Sequence, residues 1–123
     1  MSKVSGTRRP TARQQRWHDW LREQGCYLGL GPAAIHHCVG STARHNKLHI
    51  GQDFVIPLSW DAHQGPGGIH GDLSIFHGHG LGDTRKGIEK TIFRRMVEAY
   101  KRQHDGELPI DADVYVAILQ YRR

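Results

Sequence analysis

The residues able to do chemistry concentrate between Ala33 and Gly71. This stretch opens with the adjacent pair His36-His37 and passes Asp53 and the apolar run Phe54-Val55-Ile56-Pro57-Leu58. It then reaches His63 in Ser59-Trp60-Asp61-Ala62-His63 and closes with Gly68-Ile69-His70-Gly71. Ten histidines are the outlier of the composition. Clustered imidazoles suit metal ligation and proton transfer, because the ring titrates at about 6.5 and its neutral nitrogen binds borderline ions. Hydrolysis of a phosphodiester uses both properties: it needs an activated water, a cation to neutralise charge, and groups that fix both in line. Neighbouring strand residues point to opposite faces, but at a twisted or loop-adjacent strand end both reach one cleft. On that placement His36 binds the ion and His37 acts as general base. His63 completes the metal site from a following helix, while Asp53 supplies an oxygen ligand or orients the base. His70 lies seven residues past His63 with Pro66-Gly67-Gly68 between them, so it enters from a loop, either as a further metal or phosphate contact or in a structural role.

These groups need elements to hold them. Thr11 caps a helix to about Gln24, with Trp17, Trp20 and Leu21 at helical spacing and Gly25 as its stop signal. The glycine-rich segment Gly25-Cys26-Tyr27-Leu28-Gly29-Leu30-Gly31 lacks the Gly-Lys-Ser/Thr ending of a P-loop. Residues 33–38 and 54–58 read as the two strands of a hairpin joined by a long loop over 39–52, and Pro57 limits pairing at the end of the second strand. Ser59 to Gln64 forms a short helix, ended by the Gly65-Pro66-Gly67-Gly68 breaker. After an irregular loop, Asp83 or Thr84 caps a long helix to about Gln103, whose Ile88, Ile92, Met96 and Tyr100 stripe is core. Asp111 caps a terminal helix, with a strand through Val114-Tyr115-Val116 as the alternative. The three tryptophans, Trp60 included, are expected to pack inside, and His45, His49, His77 and His79 to face water.

The 123 residues suffice for one domain with a single modest core. A formal charge of +5 favours an anionic partner, nucleic acid above all. Lys3, Arg8, Arg9, Arg13 and Arg16 all precede the first acidic residue, Asp19, so residues 1–10 read as a flexible basic arm ahead of a single domain over 11–123. Arg8, Arg9 and Arg13, with Arg44 and Lys47 of the long loop, are the phosphate-contact candidates, and a solvated tail is the other reading of the arm. Two cysteines exclude a disulfide-dense secreted scaffold and point to the cytoplasm. No apolar segment approaches the length of a signal-peptide core or a bilayer span, so no membrane partner is expected.

The layout resembles the HNH, or ββα-metal, nuclease family. Its hallmark is a His-His or Asp-His pair on the first strand, a middle Asn at the second and a His on the following helix, matched here by His36-His37, Asp53 and His63. The resemblance implies an α+β fold with a ββα core over about residues 33–71, flanked by the N-terminal helix and two C-terminal helices. It implies His37 as general base and His36 with His63 as metal ligands, with Mg2+ as the ion and Mn2+ or Zn2+ as substitutes. Asp53 departs from the commoner Asn, which leaves open whether it binds the ion or positions His37. Many relatives carry a four-cysteine zinc around the hairpin. Cys26 matches its first ligand, but Gly29, Ser59 and Ala62 stand at the other three positions, so no such structural zinc is expected and the flanking helices must supply the stability.

More narrowly, the Gly25-Cys26 start, Ala34-Ile35-His36-His37, Val55-Ile56-Pro57-Leu58, His63-Gln64-Gly65 and Gly68-Ile69-His70-Gly71 are similar to the phage and prophage branch typified by the Ref recombination-enhancement nucleases. That likeness implies a divalent-metal DNA endonuclease in phage DNA recombination or processing, and for Ref itself action on DNA held in a RecA filament. The competing class is a degenerate domain that holds DNA as a recombination or packaging accessory without cutting it. Retention of His36, His37 and His63 after loss of the cysteines favours the enzyme.

Overall fold

The computed structural model describes residues 9–121, so Arg8 and most of the basic arm fall outside the described residues. The first helix, α1 (Ala12–Gln24), begins at a capping box: Gln14 N–H donates to the Thr11 hydroxyl at 3.2 Å and Thr11 N–H to Gln14 Oε1 at 2.8 Å. Gly25 ends it at φ 79°, a conformation that favours glycine. Trp17, Trp20 and Leu21 turn inward, and the two indoles stack with centroids 5.8 Å apart.

Strand β1 (Ala34–His37) follows. The expected plain loop after it folds into a second, minimal hairpin, β2 (Arg44–His45) against β3 (Leu48–His49). Its turn is Asn46-Lys47, both at positive φ (53° and 64°), as two-residue hairpin turns require. Strands of two residues leave no alternation to read, which is why only loop was expected there. Strand β4 (Val55–Leu58) pairs antiparallel with β1, Ala34 opposite Leu58 and His37 opposite Val55. All four β4 residues are buried, because α1 covers the sheet and the long helix packs on it as well.

Ser59 caps α2 (Trp60–Gln64), accepting from Ala62 N–H at 3.3 Å. Ala62 is fully buried, so two positions that bear cysteine in the zinc frame instead cap a helix and fill the core. Trp60 corrects the expectation of burial: it is 68% exposed, on the outward side of this short helix. The irregular segment after α2 holds one 3-10 turn, Ser74–Phe76, which plants Phe76 in the core. Thr84 caps α3 (Arg85–Gln103) through Gly87 N–H at 3.1 Å. Its Ile88, Ile92, Phe93, Met96 and Val97 are buried together with Glu89. Residues 112–120 form a helix, α4 (Ala112–Gln120), and not the alternative strand. Asp111 leaves the cap unbonded and faces Arg13 Nε at 3.6 Å. Four helices and two small antiparallel sheets thus make one small α+β domain. Among the described residues no helix is long and apolar enough to cross a membrane.

Candidate metal centre

β1 sends its two histidines to different neighbours, as strand alternation dictates. His36 is 2% exposed and meets α3, where its Nε2 lies 2.6 Å from Oε2 of the buried Glu89. Arg85, one turn earlier on α3, donates Nε to the same oxygen at 3.1 Å. The buried carboxylate is therefore held by an imidazole and a guanidinium, which offsets its desolvation.

Two further imidazoles close on His36. His63 comes from the last turn of α2, with its ring centroid 4.7 Å from that of His36. His70 is 5.2 Å from His36 and 4.9 Å from His63. One ligand nitrogen from each of the three lies within 4.8 Å of the others, spacing that a single ion can bridge. With His36 Nε2 engaged by Glu89 and His70 Nδ1 facing Arg85 Nη1 at 3.3 Å, the opposite nitrogen of each ring is the one left for an ion. Burial, followed by the neighbouring charges of His36, His70 and Arg85, lowers the pKa of His63 to about 4. Burial and Arg85 push His70 down as well. Near pH 7 both are therefore neutral imidazoles, the form that ligates.

His70 arrives by the loop route. The breaker after α2 turns the chain back on itself, so that Ile69 N–H donates to Ala62 O at 2.7 Å and His70 N–H to His63 O at 3.4 Å. Gly71 closes this turn, because a Cβ there would stand 2.0 Å from Pro66 O. The interruption that rules out a common helical face is thus what brings His70 over His63.

His37 takes the other side. It is half-buried, donates Nε2–H to Gln52 Oε1 at 2.9 Å, and stands edge-to-face with His18 of α1 at 5.9 Å. His18 in turn donates to the Gln52 carbonyl at 2.6 Å, and burial holds its pKa below the ordinary value. An amide oxygen only accepts, so Nε2 of His37 carries a proton. His37 is near enough to His63 for its charge to contribute to the lowered pKa there.

Asp53, expected to bind the ion or orient His37, does neither. It is 1% exposed, with Oδ1 2.8 Å from Arg13 Nη2 and Oδ2 accepting from Gln14 Nε2 at 2.9 Å. Its backbone carbonyl accepts from Trp17 Nε1 at 3.0 Å. The carboxylate anchors α1, and the side chain bonded to His37 is that of Gln52, one residue earlier. Arg13 is corrected with it, since Asp53, Asp111 and the Pro109 carbonyl take up its guanidinium. Arg9, Arg44 and Lys47 are exposed, with Arg44 bonded to the Lys47 carbonyl at 3.3 Å.

Sequence reasoning missed Gln52, His18, Arg85 and Glu89. Only Glu89 carried a signal: a carboxylate inside the apolar stripe of α3, next to Ile88 and four residues before Phe93. His36, Glu89 and the buried Cys38 also bring three ligand atoms within 4.8 Å of one another. Comparison with protein families, curated proteins and solved structures finds no match for this chain.

Proposed function

We propose that this protein is a metal-dependent DNA endonuclease of the HNH type. The observation that carries the reading is the convergence of His36, His63 and His70 on one point, beside a histidine that donates its Nε2–H to Gln52. The antiparallel β1–β4 pair followed by α2 agrees with the ββα core that the resemblance implies.

His36, His63 and His70 would hold the ion. Once bound, it would neutralise negative charge on the phosphate and the departing oxygen. Three imidazoles are a nitrogen donor set, which fits Zn2+ or another borderline transition ion better than the Mg2+ expected while Asp53 counted as a ligand. Glu89 fixes the ring of His36, as a carboxylate behind a metal-bound histidine does. His37, its ring held through Nε2 by Gln52, takes a proton from the attacking water on Nδ1. Arg85, half-exposed beside His70, adds positive charge at the mouth of the site.

Metal analysis combined with a supercoiled-plasmid nicking assay tests the reading. The expected result is one transition ion per chain and metal-dependent nicking. His63→Ala and His70→Ala should lose both. His37→Ala should keep the ion while cleavage falls roughly 10²- to 10⁴-fold. Undiminished cutting by His37→Ala removes the base, and a wild-type protein with no bound ion and no nicking at any divalent ion overturns the assignment.

A further inference from the structure

α3 carries seven Lys and Arg against two Glu, a net of +5 that equals the formal charge of the whole chain. Everything outside this helix is therefore electrically balanced. One of its two carboxylates, Glu89, faces inward to His36, and the other, Glu98, is taken by Lys101 at 3.5 Å. What remains on the outer side is a cationic ridge: Arg94, Arg95 and Arg102 are all exposed. Arg94 and Arg102 make no hydrogen bond or ion pair among the described residues. Among the described residues Arg95 is bound to a neutral partner, the Tyr27 hydroxyl, at 2.8 Å. The three arginines line one cavity of about 710 Å³ with Tyr27, Tyr115 and the Glu98 carboxylate.

Like charges on one helix face repel, and an isolated helix would be steadier with acids interleaved at i+4 spacing. Glu98, four residues from both Arg94 and Arg102, is the one acid set into this row, and it already faces Lys101, so three guanidiniums exceed the negative charge on the face and favour an anion over it. From these observations we infer that the outer face of α3 docks the phosphate backbone of double-stranded nucleic acid. From Arg94 to Arg102 the helix rises about 12 Å at about 1.5 Å per residue. With one phosphate per about 3.4 Å of each strand, that length spans three to four consecutive phosphates. Guanidinium forks match phosphate oxygens two at a time, which a row of lysines does not. The contacts are to backbone, so docking is independent of sequence. This face replaces Arg13 and the loop cations as the main phosphate contact. It rests on the nuclease reading and deepens it by naming the surface that holds the substrate.

The test is duplex binding, followed by fluorescence anisotropy across a salt series on a 30-base-pair DNA of arbitrary sequence. It is run in the His37→Ala background, so that cleavage does not interfere. Changing Arg94, Arg95 and Arg102 together to Gln should weaken binding at least about tenfold near 0.1 M salt. The slope of log K against log salt should shrink by about 2.7, or about 0.9 for each single Arg94→Gln, Arg95→Gln or Arg102→Gln variant. Arg16→Gln/Arg44→Gln/Lys47→Gln removes the same charge elsewhere and should move the slope far less. Arg94→Lys/Arg95→Lys/Arg102→Lys should keep most of it. Equal losses from the two glutamine sets, an unchanged slope, or displacement of the duplex by polyglutamate at equal charge concentration overturns the proposal. The nuclease reading fails separately, if the wild-type protein binds the duplex through α3 yet never cuts it with any ion.

Discussion

At residues 52 and 53, one step along the chain separates the side chain that holds His37 from the one that holds α1. The approximate position was legible in the sequence, because a polar residue just ahead of the Val55–Leu58 strand lies opposite the histidine pair once the hairpin closes. Which of Gln52 and Asp53 turns toward His37 was not legible, since spacing gives the location of a backbone and not the side to which a side chain points. Chemistry favoured Asp53, the stronger acceptor and a metal ligand in its own right. Its carboxylate is instead neutralised by Arg13, forty residues earlier, a pairing with no local signature. The correction has a kinetic consequence. Gln52→Ala leaves all three metal-site histidines in place and frees the His37 ring to rotate, so kcat should fall roughly 10- to 100-fold while ion content stays at the wild-type value. Single-turnover nicking rates with parallel metal analysis check this, and a rate within a factor of two of wild type would mean that the hydrogen bond does not orient the base.

Elements follow the same division between what is local and what is not. The capping box at Thr11, the glycine stop at Gly25, the Ser59 and Thr84 caps and the apolar stripe of α3 are short-range signals, and each element forms where they place it. The turn over 65–72 is different. Its Pro and Gly residues announce a break but not a direction, and the direction decides whether His70 joins the cluster. The chain doubles back because Gly68 and Gly71 let backbone approach backbone, with Gly71 N–H donating to Gly68 O at 2.9 Å and Asp72 N–H to Pro66 O at the same distance. Gly71→Ala would set a methyl group 2.0 Å from the Pro66 carbonyl, so the turn must open. Opening it moves His70 away from His36 and His63. Calorimetric titration with Zn2+ should then show affinity reduced at least about tenfold, with helix content by circular dichroism unchanged. Wild-type affinity in Gly71→Ala would show that His70 reaches the ion whatever the turn does, or is not a ligand.

For the molecule as a whole, stability and site are joined through α1. Gln14 and Arg13 reach the Asp53 carboxylate, Trp17 reaches its carbonyl, and His18 reaches the carbonyl of Gln52. The helix whose arginines were expected to meet phosphate therefore spends its inner face on Gln52 and Asp53, just ahead of Phe54 and β4, and so keeps Gln52 against His37. His18 makes this arrangement sensitive to acid. Burial disfavours its cation, so its pKa in the folded protein lies below the unfolded value of about 6.5. Above that value His18 is neutral in both states and its titration does not oppose folding. As pH falls below it, the unfolded chain takes up the proton first, and stability declines until the folded pKa is reached. Thermal melting of the wild-type protein should therefore drop between pH 7 and pH 5. His18→Gln should start lower at pH 8, by about 1 kcal/mol for a disturbed buried hydrogen bond, and then descend less steeply through the same window. Each melt is run in excess chelator, so that proton competition for a bound ion does not enter. Parallel curves for the two proteins would show that His18 titrates alike in the folded and unfolded chains, and that the hold of α1 on Gln52 does not depend on its charge.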